Sequence, residues 1–174
     1  MKKYSFTVFM ICGIVISFLS SCRTPINPSS FSYYTFQTEC VNVELDGSQT
    51  LKAYGMGRDR TDAVEQAKKN AVRDVIFKGI LSGSEECQAK PLLLEVNAEE
   101  KYRNYFNTFF ADGGTKGKTG NYSRFVTLQD ERFWRRINRQ ATVQNTDQDV
   151  YSVIVRVLRE ELKQQLIKDG ILKQ

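Results

Sequence analysis

Four cysteines are the most reactive side chains in this chain of 174 residues: Cys12, Cys22, Cys40 and Cys87. Cys12 sits inside an apolar run near the start, and Cys22 closes the sequence Leu19-Ser20-Ser21-Cys22. Cys40 and Cys87 remain as an even pair. In an oxidising compartment such a pair is a candidate disulfide. The plainer alternative is two free, buried thiols, because spacing along the chain does not reveal distance in space. Histidine is absent altogether. Its absence removes Ser-His-Asp triads, Cys-His dyads and histidine-based zinc sites together. No metal site and no cofactor is expected.

Residues 112–119 read Asp-Gly-Gly-Thr-Lys-Gly-Lys-Thr and come close to a phosphate-binding loop. Such a loop needs glycine where Asp112 stands, a strand before it and a helix after it. Here an aromatic helical pattern precedes, a tyrosine-bearing strand pattern follows, and the Asp112 carboxylate would repel phosphate. These differences weigh against a nucleotide and favour a surface loop. A second candidate is Arg132-Phe133-Trp134-Arg135-Arg136-Ile137-Asn138-Arg139, which interleaves bases with aromatics. Runs of this kind serve as interface anchors, so Trp134, Arg135 and Arg136 are the candidate partner contacts. On a strand the arginines divide between the two faces, with Arg136 on Trp134's side. An edge strand kept soluble by its charges is the plainer reading and the favoured one.

Tyr102, Tyr105, Phe106, Phe109 and Phe110 recur at helical spacing. They line a ligand groove or, as this pattern more often signifies, a core. Glu85-Glu86, Glu99-Glu100 and Glu160-Glu161 are sequence neighbours that diverge on a helix, so none forms an acid/base pair. No motif marks an enzyme, and the expectation is a non-enzymatic protein.

The first residues have their own logic. Lys2 and Lys3 precede an apolar run from Phe6 to Leu19, which is followed by two small residues and Cys22. That order reads as a secretory signal peptide over residues 1–21. A spanning helix needs about 20 apolar residues, and this run is shorter. Leu19-Ser20-Ser21-Cys22 resembles the lipobox of bacterial lipoproteins. The resemblance implies cleavage before Cys22, a thioether-linked diacylglycerol on Cys22 and an acylated new N-terminus. Stable anchoring takes more than one acyl chain, which a triacylated cysteine provides. Among lipoproteins, an aspartate just after the cysteine marks retention in the inner membrane, and an acidic cluster marks surface export. Arg23 and Thr24 stand there instead, so the expected location is the outer membrane, facing the periplasm. Residues 22–35 carry Pro25, Pro28 and several serines, and read as a lipidated cysteine with a flexible tether.

Residues 36–174 then form one domain, long enough to bury a core without staples. Lys2 and Lys3 lie in the leader, which holds no acid, so the remainder carries +3 of the net +5. That surplus does not mark a nucleic-acid binder. Val41, Val43 and Leu45 predict a half-buried strand face, Asp46-Gly47-Ser48 a turn, and residues 50–56 the returning strand. Thr61 is the expected N-cap of a helix carrying Ala63, Ala67 and Ala71, with Glu65 and Lys69 as an exposed pair and Gly79 or Gly83 as its stop. A second helix is expected over much of 91–110, starting at Pro91 or later at an Asn97 cap, with Leu94 on its inner face. A short strand is expected over 122–128. Residues 133–143 and 149–158 predict a second hairpin, and 159–168 a closing helix stopped by Gly170. The fold class is therefore α+β: a mainly antiparallel sheet from two hairpins, helices on one face, in ββααββα order.

Within this frame Ala53-Tyr54-Gly55-Met56-Gly57, followed by Ala63, Ala67 and Ala71, is similar to the pattern of small outer-membrane lipoproteins and of the N-terminal domain of the flagellar-assembly protein FlgT. The resemblance covers about residues 50–80. It implies an alanine-lined helix on an antiparallel sheet and a part in envelope assemblies rather than catalysis, and it carries no site residues. The expected function is that of a membrane-anchored component or accessory of an envelope assembly, with envelope proteins as partners. The rival expectation is a lipoprotein that captures a small molecule or glycan beside the aromatic helix.

Overall fold

The structure, a computed structural model, describes residues 36–87, 89–111, 120–129, 135–137 and 149–173. The leader, Cys22, the tether, the glycine-rich run 112–119 and Trp134 lie outside the described residues. The fold is α+β. In chain order it runs β1 (Glu39–Val43), β2 (Gln49–Gly57), α1 (Arg60–Phe77), β3 (Ser82–Gly83), a 3-10 turn (Glu85–Cys87), α2 (Ala98–Lys101), α3 (Arg103–Phe109), a second 3-10 turn (Asn121–Phe125), β4 (Val126–Leu128), β5 (Arg135–Ile137), β6 (Asp149–Val157) and α4 (Arg159–Lys168). Among the described residues no helix is long and apolar enough to cross a membrane.

The sheet order is β3-β1-β2-β6-β4, with β5 also paired to β6. The β1–β3 pair is parallel and the others are antiparallel, so the sheet is mixed. β3 is absent from the expected elements, and the short strand expected over 122–128 is reduced to β4, its first half being the 3-10 turn. Each has two or three residues, too few to show an alternating pattern.

β2 and β6 form the centre, in register from Gln49↔Val157 to Gly57↔Asp149. Leu51 and Ala53 lie opposite Val155 and Val153, and this face is buried in one core cluster with residues of α1, α3 and α4. Helix α1 lies close because small residues meet. A Cβ added at Gly55 would collide with the Ala63 carbonyl and the Ala67 amide. Both obstacles are backbone, so neither can swing away. Gly55→Ala should therefore destabilise by about 1–3 kcal/mol, measured by urea unfolding. A change under about 0.5 kcal/mol, the usual range for surface sites, would refute this contact.

Several local expectations are corrected. The buried side chain of β1 is Cys40, while Val41 is 48% exposed and Leu45 is fully exposed. Buried Thr38 and Cys40 take the inward positions, so Val41 falls on the outer side, and a bulge between Cys40 and Asn42 then shifts the register. The cap of α1 is Asp59, in extended conformation, whose carboxylate accepts from the Asp62 amide at 2.9 Å. Thr61 is already inside the first turn. Glu65 pairs with Lys68 at 2.6 Å, and the Lys69 ammonium lies 5.7 Å from the centre of the Tyr122 ring. Gly79, at φ +77°, ends the helix and donates its amide to the Asp74 carbonyl at 2.7 Å.

The aromatic helix begins at Ala98, after Asn97, and breaks at Tyr102. Residues 91–97 are not helical because the end of α1 engages them. The last four carbonyls of a helix lack intrahelical partners. The amides of Leu92 and Leu93 supply two, donating to Val75 and Ile76 at 3.1 and 2.9 Å. That path buries Leu93 and turns Leu94 outward, 72% exposed. At the β1–β2 turn, the Ser48 hydroxyl and amide both donate to Asp46 Oδ1, at 2.6 and 3.0 Å. These bonds, with Arg156 nearby, hold the Asp46 carboxyl below its usual pKa.

Candidate functional site

A cleft of about 640 Å³ opens between the C-terminal half of α1 and residues 93–110. Its apolar wall consists of Phe77 from α1, Leu93, Ala98, Phe106 from α3 and Phe110. The rings of Phe77 and Phe106 meet edge to face with centroids 4.7 Å apart. Those of Phe106 and Phe110 lie roughly parallel at 6.1 Å. Phe106 is only 3% exposed, so it is core and cleft wall at once. This arrangement follows from the break at Tyr102 and the docking of Leu92 and Leu93. Together they place the aromatic face of α3 over the end of α1 with a gap between them.

The rim is polar. Arg73 of α1 is paired with Glu99, and its guanidinium lies 5.6 Å from the Phe110 ring centre. Arg103 is paired with Glu100. Lys101 donates to Glu95 at 2.5 Å, and that bond, assisted by Tyr102, raises the ammonium pKa. Asn97 and Asn107 complete the lining. Asn97 has φ 60° and makes no cap bond with its side chain. Each carboxylate of the rim is thus held by a base, which suits the rim to binding rather than proton transfer. Among the described residues no cluster of histidine, cysteine, aspartate or glutamate could hold a metal ion.

The residues singled out by sequence scatter. Tyr105 lies outside the cleft lining. It is half-buried, and its hydroxyl donates to Asp169 Oδ2 at 2.7 Å. Burial, and then this bond, push its pKa up. Cys40 and Cys87 are joined as a disulfide with Cα atoms 6.0 Å apart, and both are buried. The Gln49 side-chain amide donates to the Cys87 carbonyl at 3.0 Å and ties the bridge to β2. Arg135 and Arg136 occupy successive register positions of β5, opposite Ser152 and Tyr151. Cys22 and Trp134 lie outside the described residues.

Sequence reasoning missed Arg73, Asn97, Arg103 and Asn107 as a group. They come from α1, a loop and two turns of α3, and no single periodicity joins them. It also missed Tyr122, buried at the second 3-10 turn, whose hydroxyl donates to Glu65 Oε2 at 3.2 Å. Comparison with protein families, with curated proteins and with solved structures finds no match for this chain.

Proposed function

We propose that this protein is an envelope lipoprotein, lipid-anchored at Cys22 and facing the periplasm from the outer membrane. Residues 1–21 are its signal peptide, 22–35 its lipidated tether and 36–174 its single domain. The domain is a non-enzymatic component or accessory of an envelope assembly. Trp134, Arg135 and Arg136 are its partner contacts. The same reading extends to the whole fold: two hairpins under a one-sided helical layer, the second hairpin joining β5 to β6.

The observation that carries the compartment is the Cys40–Cys87 bridge. Disulfides persist in oxidising compartments and are rare in the cytosol, and this one lies behind a leader that ends just before Cys22. Crosslinking in intact cells, followed by affinity capture and mass spectrometry, tests the assembly role. Envelope proteins in stoichiometric amount are expected, and Arg135→Ser with Arg136→Ser should reduce their yield. An empty capture from a well-expressed protein rejects the role.

One observation favours a second reading, a lipoprotein that captures a small molecule or glycan. The cleft lies beside the aromatic helix, and its volume falls within the range of small-molecule sites, about 300–1,000 Å³. Its lining is more polar than is usual for such sites, with Phe77, Leu93, Ala98, Phe106 and Phe110 forming one apolar wall.

A further inference from the structure

We infer that the cleft between α1 and α3 binds a neutral saccharide, an inference that rests on the ligand-binding reading. Arg73, Arg103 and Lys101 are each held by a carboxylate of the same rim, Glu99, Glu100 and Glu95 in turn. An anionic ligand would displace these carboxylates and leave them facing it. A cationic ligand would displace the bases at the same kind of cost. The pairs are exposed and individually weak, but three bases against three carboxylates leave the rim with no net attraction for an ion of either sign. A neutral ligand leaves the pairs intact and uses the lone pairs and N–H groups they still offer.

Shape and polarity narrow the choice further. Among the wall rings Phe77 and Phe110 are half-buried and leave apolar ring surface open, while Phe106 behind them is almost wholly covered. Asn97 and Asn107 border the same space, and neither amide is held in a side-chain hydrogen bond among the described residues. An amide offers both donor and acceptor. The matching ligand has an apolar face for a ring and an edge of groups that donate and accept together. A pyranose does this: its C–H face packs on an aromatic ring while its hydroxyls bridge amide and carboxylate. A purely apolar ligand would leave the amides without partners, at the cost of desolvating them.

The test uses the full lipidated chain in detergent micelles and saturation-transfer NMR. The probes are neutral trisaccharides of glucose, mannose and N-acetylglucosamine, with trigalacturonate and trialanine alongside. Transfer to the ring protons of at least one neutral trisaccharide is expected. Asn97→Gly, which suits the left-handed backbone there, with Asn107→Ala should weaken it about tenfold or more, the weight of a lost hydrogen bond or two, without lowering the melting midpoint. Binding that survives this change lies elsewhere and overturns the inference. Binding only of trigalacturonate or only of trialanine, lost in the same variant, overturns the saccharide while the ligand cleft stands. No transfer to any probe overturns the saccharide inference and counts against the cleft as a ligand site.

Discussion

Phe106→Ala should cost about 3–5 kcal/mol of stability and lower the melting midpoint by about 10 °C. Phe106 is 3% exposed. Its ring contacts Phe77, Tyr105, Phe109 and Phe110, with centroids between 4.7 and 6.3 Å away. Removing it opens a cavity that the backbone cannot close, because Leu92 and Leu93 hold the neighbouring segment to the end of α1. Urea unfolding of purified wild type and variant measures the difference. A loss below about 1 kcal/mol, far under the usual range for a buried phenylalanine, would show that the ring is not core. The same residue forms part of the cleft wall, so ligand affinity should fall in parallel. The alternative, binding lost with stability kept, would describe a ring that serves only the cleft.

Cys40→Ala should cost about 2–5 kcal/mol, the usual range for a native disulfide. The bridged residues are 47 apart in sequence. Loop-closure entropy for that length gives about 4 kcal/mol. Both cysteines are buried and the bridge fastens β1 to the 3-10 turn after β3. This ties down a sheet edge that is otherwise thin, since β3 adds only two residues to it. Cys87→Ala should match Cys40→Ala, and the double variant should cost no more than either, because all three remove one bond. Denaturant midpoints with and without reductant measure the effect. Two alkylatable thiols in the purified native protein, or a midpoint indifferent to reductant, would contradict the bridge.

The parts of this fold that could be read in the sequence are those with long, clean periods. Tyr151, Val153, Val155 and Val157 recur at period two in β6, with Ser152 and Arg156 between them, and all four are buried. The Ala63, Ala67, Ala71 strip lies against β2 because four-residue spacing puts one face of α1 on the glycines. Leu162 and Leu166 likewise turn inward in α4. The failures share a physical cause: tertiary partners overrode a local pattern. Val41 and Val43 alternate as a buried face should, but the pairing with β2 sets Cys40 opposite core-facing Leu51 and leaves Val41 on the outer side. Pro91 is a good helix opener, yet the unsatisfied carbonyls of α1 accept from the amides of Leu92 and Leu93 and hold them out of a helix. Thr61 is a good cap residue, but Asp59 stands two residues earlier and takes the role.

The candidate site was half legible. Its aromatic wall shows as a helical stripe, and Phe106 and Phe110 were visible in it. Its rim was not, because Arg73 lies about thirty residues from Arg103, and only the turn of the chain at 91–97 brings them to one opening. Glu99 and Glu100, set aside as an acid pair on helical geometry, do diverge to different arginines.

The central claim is the anchor at Cys22, and one measurement tests it most directly. Cells of the native host are grown with radiolabelled palmitate, and the wild-type chain and Cys22→Ala are recovered and compared. The account predicts label on the wild-type chain and none on the variant, which should also accumulate with its leader uncleaved. Label that persists on Cys22→Ala, or a wild-type chain that takes up none, would contradict the lipoprotein reading.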